Sequence, residues 1–248
     1  MIPEQPDLFA DIKPVSQEEI EQAAEPKADK QHIKQQEQNE PEQEEAKEAY
    51  VPFLPGLKAD QARSEISDFE QLKFIASTCT LCRLRSTCNG VVFGEGPLSS
   101  KMMLIGEGPG HDEDLQGRPF VGRAGQLLDK ILIASEINRA DVYIANIVKC
   151  RPPQNRLPGI EEVKACKGYL EAQIRLIKPK IIVCMGALAS QVVIDPRARI
   201  SQIRGKWYTR QGIKIMAVFH PAALLRNAEY KRPTWEDFKL IRDEYKRV

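Results

Sequence analysis

Four short apolar runs set the architecture: "KMMLIGE" (101–107), "DVYIANIVK" (141–149), "KIIVCMG" (180–186) and "IKIMAVFHP" (213–221). Each is strand-sized, rich in Ile, Val and Met, and bounded by Gly, Pro or charge. Between them lie "GRAGQLLDKILIASEIN" and "GIEEVKACKGYLEAQIRLIKP", both with helical apolar spacing, and a short helix from Ala187. A helix over "ISDFEQLKFIAS" precedes the first strand, and one over "TWEDFKLIRDEYKRV" follows the last. Strands separated by helices imply crossover connections and a parallel sheet covered on both faces. The expected fold is α/β: a three-layer sandwich around a central, mainly parallel four-stranded sheet. Ligands bind such sheets where loops leave the carboxyl ends of the strands. "GEGPG", "NIVKCRPPQNR" and "HPAALLRN" leave strands there.

The first of these opens like a phosphate loop, with Gly106, Gly108 and Gly110 close together. A Walker loop would continue with Lys and then Ser or Thr, and neither is present. The chain runs instead into His111, Asp112, Glu113 and Asp114, whose carboxylates would repel a pyrophosphate. A neutral ligand suits this loop better than a phosphate.

Charge divides the chain. Residues 1–62 carry six lysines against fifteen acidic residues, net −9, whereas the rest carries net +10. The first part is rich in Glu, Gln, Lys and Pro and poor in large apolar residues, so burial cannot offset the entropy of ordering it. It is expected to be a disordered acidic tail, with one globular domain over 63–248. No run approaches the roughly 20 apolar residues of a spanning helix, and no charged-then-apolar leader opens the chain, so a soluble cytoplasmic protein is expected.

Six cysteines without a secretion signal point to metal chemistry or buried thiols before disulfides. Cys79 and Cys82 form C-x2-C, Cys150 ends a strand and Cys166 follows. Four thiolates at this irregular spacing suit zinc or an iron–sulfur cluster. Cys184 reads as a core strand residue, and Cys88 has no obvious partner.

Taken together, "GEGPG", "GRPFVGRAGQLLDKIL", "NIVKCRPPQNR" and "HPAALLRN", in this order and downstream of C-x2-C, resemble the family 4 (iron–sulfur) uracil-DNA glycosylases. The resemblance spans about 66–248 and implies uracil-DNA as substrate, hydrolysis of the N-glycosidic bond as reaction, and a [4Fe–4S] cluster on Cys79, Cys82, Cys150 and Cys166. It implies that Phe120 stacks on the flipped base. Asn146 would read uracil, accepting from N3–H and donating to O4, a pattern that cytosine reverses. His220 would donate to uracil O2, and the main chain of Gly106, Gly108 and Gly110 would approach the base. Glu107 and Glu113 both stand as candidates to activate water. Leu224 is the expected wedge that fills the vacated stack, with Leu225 next to it as the alternative. Lys149, Arg151, Arg156 and Arg226 are candidate phosphate contacts. A different reading is a non-catalytic iron–sulfur nucleic-acid module, which would keep the cysteines without the pocket residues.

One further motif lies in the tail. Gln5, Asp7, Leu8 and Phe9 form Q-x-D-L-F, resembling the short motif by which bacterial repair proteins dock on the sliding clamp. A monomer on a flexible tether is the expected form.

Overall fold

A computed structural model describes residues 50–58 and 61–248. Of the tail read over 1–62, residues 1–49, with Gln5, Asp7, Leu8 and Phe9, lie outside the described residues.

Strands β1 (Met102–Gly106), β2 (Tyr143–Asn146), β3 (Ile181–Met185), β4 (Trp207–Arg210) and β5 (Ile213–Val218) form one sheet in the order β2-β1-β3-β5-β4. All neighbours are parallel except β4 and β5. The sheet thus has five strands and not the expected four. The extra strand, "WYTR", is a short, half-exposed edge paired antiparallel to β5, too brief and polar to show the buried-run pattern. β1, β2 and β3 are buried throughout, as strands covered on both faces must be.

Eight helices pack around the described sheet: α1 (Phe69–Ser77), α2 (His111–Gln116), α3 (Arg123–Ala134), α4 (Ile160–Ile177), α5 (Ala187–Val193), α6 (Ile200–Ile203), α7 (Pro221–Arg226) and α8 (Lys231–Tyr245). α1, α3, α4, α5 and the body of α8 fall where helical spacing placed them. None of the described helices is long and apolar enough to cross a membrane. The chain runs outward from β1 to β2 and then returns past β1 to β3. That reversal lies between β1 and β3, the place where open sheets of this kind leave a crevice.

The packed body begins before residue 63. Phe53, Leu54 and Ala62 are core residues. The buried carboxylate of Glu171 on α4 accepts from Phe53 N (2.6 Å), Leu54 N (2.8 Å) and Tyr50 Oη (2.5 Å). Gln211 Nε2 donates to Val51 O at 3.1 Å, and the Arg210 guanidinium lies 5.6 Å from the Phe53 ring centroid. Composition alone assigned "YVPFLPG" to the tail, because a seven-residue strap has no periodicity to read.

Candidate active site

The parallel strands finish side by side, with Gly106 beside Asn146 and Met185 beside Val218. Loops leaving them enclose an open cleft of about 610 Å³, into which Glu107, Gly108, Phe120, Asn146 and His220 are brought together.

Close approach fixes two of its glycines. A β-carbon at Gly106 would collide with Asn146 Oδ1 and with the Phe120 ring, so only glycine lets both side chains reach this point. Gly125, on the first turn of α3, faces the Phe120 carbonyl, where a β-carbon would overlap the oxygen. Phe120 itself has φ +53, a left-handed conformation that costs a bulky residue energy and must be held by its surroundings. Its ring centroid lies 5.5 Å from that of His220, with the planes tilted by 32°.

Asn146 is 2% exposed, and its Oδ1 is buried without a hydrogen-bond partner. Buried polar atoms are almost always paired, so an orphaned acceptor on a cleft wall marks a place for a donor. His220 caps α7: Ala222 N–H donates to Nδ1 at 3.1 Å. The neutral ring therefore carries its proton on Nε2. Burial, reinforced by the Arg226 charge, pushes the imidazole down to about 4, so it is uncharged at neutral pH. Burial raises the Glu107 carboxyl above its ordinary value, and Arg226 opposes the shift. Among the described residues no hydrogen bond reaches that carboxylate.

Glu113 is placed differently. Its Oε1 accepts from Val121 N and Gly122 N, both at 2.9 Å, and its Oε2 accepts from Gly110 N at 3.1 Å. Three main-chain donors hold the carboxylate, so it organises the loop. The Gly110 N–H is engaged by the same contact and is not free for a ligand. The Gly-x-x-Glu spacing at a helix start, half of a capping box, was the available signal.

Three other expectations are corrected. Leu224 is 1% exposed, buried where α7 meets α3, and cannot enter a base stack; Leu225 is 44% exposed. Arg156 forms a bidentate pair with Glu162, at 2.8 and 2.7 Å, so it is not a free phosphate ligand. Lys149 is buried, and its ammonium donates to Asn146 O at 2.9 Å and Gln173 Oε1 at 2.6 Å. Burial lowers its pKa to about 8. A lysine inside the apolar run "NIVKC" was the sign of a buried, partnered cation. Arg151 instead meets Asn155 at 2.8 Å on the surface.

Cys79, Cys82, Cys150 and Cys166 line a second, small cavity with Ala76, Leu84 and Tyr169. All six cysteines are free, and Cys184 is buried within β3. Among the described residues, no group of three or more His, Cys, Asp or Glu stands close enough to hold a metal ion. Burial foremost, and then the neighbouring Cys88 thiol, raise the Cys150 thiol above its ordinary value, a proximity that spacing did not reveal. The adjoining Asn89 gives its N–H and its side-chain amide to the buried carboxylate of Asp114 on α2, at 2.9 and 2.8 Å. The cysteine segment is thereby tied to the loop that walls the cleft.

A doubly wound sheet with an orphaned amide and a neutral imidazole at its switch point defines a site for a flat polar ring. Residues 93–239 match the model of the Uracil DNA glycosylase superfamily. A type-4 uracil-DNA glycosylase of Thermotoga maritima is 47% identical over 167 residues, 65% of this chain and 86% of the relative. Type-4 enzymes of Archaeoglobus fulgidus (42% over 172 residues, 66% and 86%) and Pyrobaculum aerophilum (40% over 184, 70% and 93%) are similar along the same body. The chain belongs to the uracil-DNA glycosylase superfamily, among the type-4 relatives.

Proposed function

We infer that the protein is a uracil-DNA glycosylase, hydrolysing the N-glycosidic bond of a uracil flipped from DNA. The observation that carries the reading is the buried, unpartnered Asn146 Oδ1 beside the Phe120 ring and the His220 edge.

In this reading the flipped base stacks on Phe120. Asn146 Oδ1 accepts from uracil N3–H, and its amide nitrogen donates to O4. Cytosine offers an acceptor at N3 and a donor at C4, so it leaves buried groups opposed and is rejected. Bond cleavage develops positive charge on the sugar and negative charge on the leaving base. His220 Nε2–H donates to O2, where that charge collects. Because the ring is neutral and weakly basic, it stabilises the anion by a hydrogen bond and transfers no proton. Glu107, with its carboxylate unoccupied by protein donors, orients the attacking water, and Glu113 holds the loop that presents it. Main-chain groups of Gly106 and Gly108 let the base lie close to the β1 end. Leu225 enters the vacated stack, and Arg226 is placed to meet a phosphate at the rim.

The four thiols of Cys79, Cys82, Cys150 and Cys166 are proposed to hold a [4Fe–4S] cluster. Four soft sulfur donors lining one apolar cavity suit iron–sulfur ligation, and Lys149 N–H donating to Cys166 Sγ at 3.3 Å is the kind of contact that tunes such sulfurs. When bound, the cluster supplies a covalent cross-link among three chain segments, and no step of glycosidic hydrolysis draws an electron from it.

The Q-x-D-L-F motif at Gln5, Asp7, Leu8 and Phe9 is proposed to dock on a bacterial-type sliding clamp. Docking there would raise the enzyme's concentration near clamped DNA.

The decisive experiment is incubation with single- and double-stranded oligonucleotides containing one uracil, followed by alkali. Strand scission at the uracil is expected, with none at cytosine or thymine. Intact strands would overturn the reading. For the tail, deletion of residues 1–10 should abolish clamp binding and leave cleavage of free oligonucleotides unchanged.

A further inference from the structure

Lys149 is a large cation sealed in the core, and none of its hydrogen bonds is to a carboxylate. Its ammonium instead donates to Asn146 O and Gln173 Oε1 and lies 6.0 Å from the Phe93 ring centroid. Its own main chain is anchored on both sides: the N–H points at Cys166 Sγ (3.3 Å), and the carbonyl accepts from Val92 N (2.7 Å). Gln173 in turn is fixed by donating to Phe93 O (2.9 Å) and Tyr143 Oη (3.0 Å). The side chain thus runs back along its own strand end, linking the residue that precedes Cys150 to the residue whose amide faces the cleft. Breaking such a buried, charge-assisted link leaves two acceptors without a donor.

We propose that Lys149 is a positioning residue that ties the cysteine centre to Asn146, holding the Asn146 main chain so that its amide stays in register with the base. The inference rests on the glycosylase reading of the same cleft. It assigns the cysteine centre a role in geometry: the segment that carries Cys150 and contacts Cys166 is also the one from which Asn146 is braced.

The test is a double-mutant cycle on the holoprotein, reading kcat/KM on uracil-DNA and, independently, the affinity for free uracil by calorimetry. Lys149→Met should lower kcat/KM about 100-fold, the order expected when a reacting group is misplaced by about 1 Å. It should also weaken free-uracil binding at least tenfold, and bleach the cluster's visible absorption faster in chelator. In an Asn146→Ala background the same change should cost less than threefold, because the residue acts through Asn146. A role confined to general packing would cost the same factor in both backgrounds, and that outcome overturns the proposal. Should Lys149→Met fail to fold, Gln173→Met removes the other acceptor and leaves the cation in place. It should weaken uracil binding about threefold, again only when Asn146 is present, and wild-type affinity in that variant sinks the inference. Wild-type protein that neither binds uracil nor cleaves uracil-DNA would instead sink the functional reading from which it starts.

Discussion

Glu107 and Glu162 are both acids drawn away from water, and their surroundings treat them oppositely. Glu162, at the start of α4, accepts from Arg156, from Arg83 (2.9 Å) and from Gly159 N (2.6 Å), and the Arg156 bonds foremost hold its carboxyl down to about 2. Glu107, at the mouth of β1, meets no donor among the described residues, and burial shifts its carboxyl upward. The same contrast separates the two regions as wholes. Around the cysteines and α4, polar groups are closed on one another: Glu171 on the strap, Lys149 on Asn146 O and Gln173, Asp114 on Asn89. At the cleft, Asn146 Oδ1, the Glu107 carboxylate and His220 Nε2 have no hydrogen-bond partner among the described residues. Open hydrogen-bonding capacity is costly in a folded chain; besides Arg63 Nε and Arg175 Nε, beside and on α4, the buried unpaired side-chain atom among the described residues is Asn146 Oδ1, at the wall of the cleft.

Substitutions of these open groups should therefore cost activity more than stability. Asn146→Asp is expected to lower kcat/KM on uracil by about 1,000-fold, or to admit cytosine, with the fold retained, because it replaces the buried donor to O4 by an acceptor. Full uracil activity with unaltered selectivity would remove Asn146 as the reader.

His220→Ala should cost about 100-fold to 1,000-fold in kcat, the usual loss of one donor to a developing anion. Glu107→Gln should cost about 100-fold. Their pH profiles separate the two. His220 is lowered to about 4, so it stays neutral from alkaline pH down to that value and does not lose its role near 6.5. Glu107 is raised and must be ionised to orient water, so activity should fall as pH drops through a value above its ordinary 4.5. An acid limb that survives unmoved in Glu107→Gln would assign it to another group.

Leu225→Ala should reduce activity on double-stranded substrate about tenfold while sparing single strands, where no stack needs filling. Equal losses on both would argue against a wedge.

The closed region should behave in reverse. Glu162→Gln is expected to keep activity within twofold while lowering Tm by about 3 °C at pH 7. Because the folded carboxyl is depressed, the stability it confers is present above its ordinary value of about 4.5 and is lost as pH falls toward 2. The variant and wild type should therefore converge in acid, and a Tm gap that persists there would break the comparison.

The sequence was more legible in one of these regions than in the other, for a physical reason. Strand ends carry their own signals, since apolar runs stop at a polar residue that must face a loop, so the places of Asn146 and His220 at strand ends were legible, while their roles came from the resemblance. Closed networks join residues far apart in the chain, such as Tyr50 with Glu171 or Arg83 with Glu162, and no local periodicity announces them. Leu224 and Leu225 show the limit most sharply, because two adjacent leucines on a six-residue helix differ only in which side of it the core lies. The edge strand Trp207–Arg210 was invisible for the related reason that half of it faces solvent.

The strap at residues 50–54 meets Arg210 and Gln211, the turn that opens β5, whereas the cleft lies where β5 closes at His220. The chain thus joins its body at the rear of the sheet, a full strand length from the chemistry. The strap works like a trailer hitch: a load on residues 50–54 reaches the sheet at the end away from the cleft, so loosening the strap, as in Tyr50→Phe, should leave turnover unchanged.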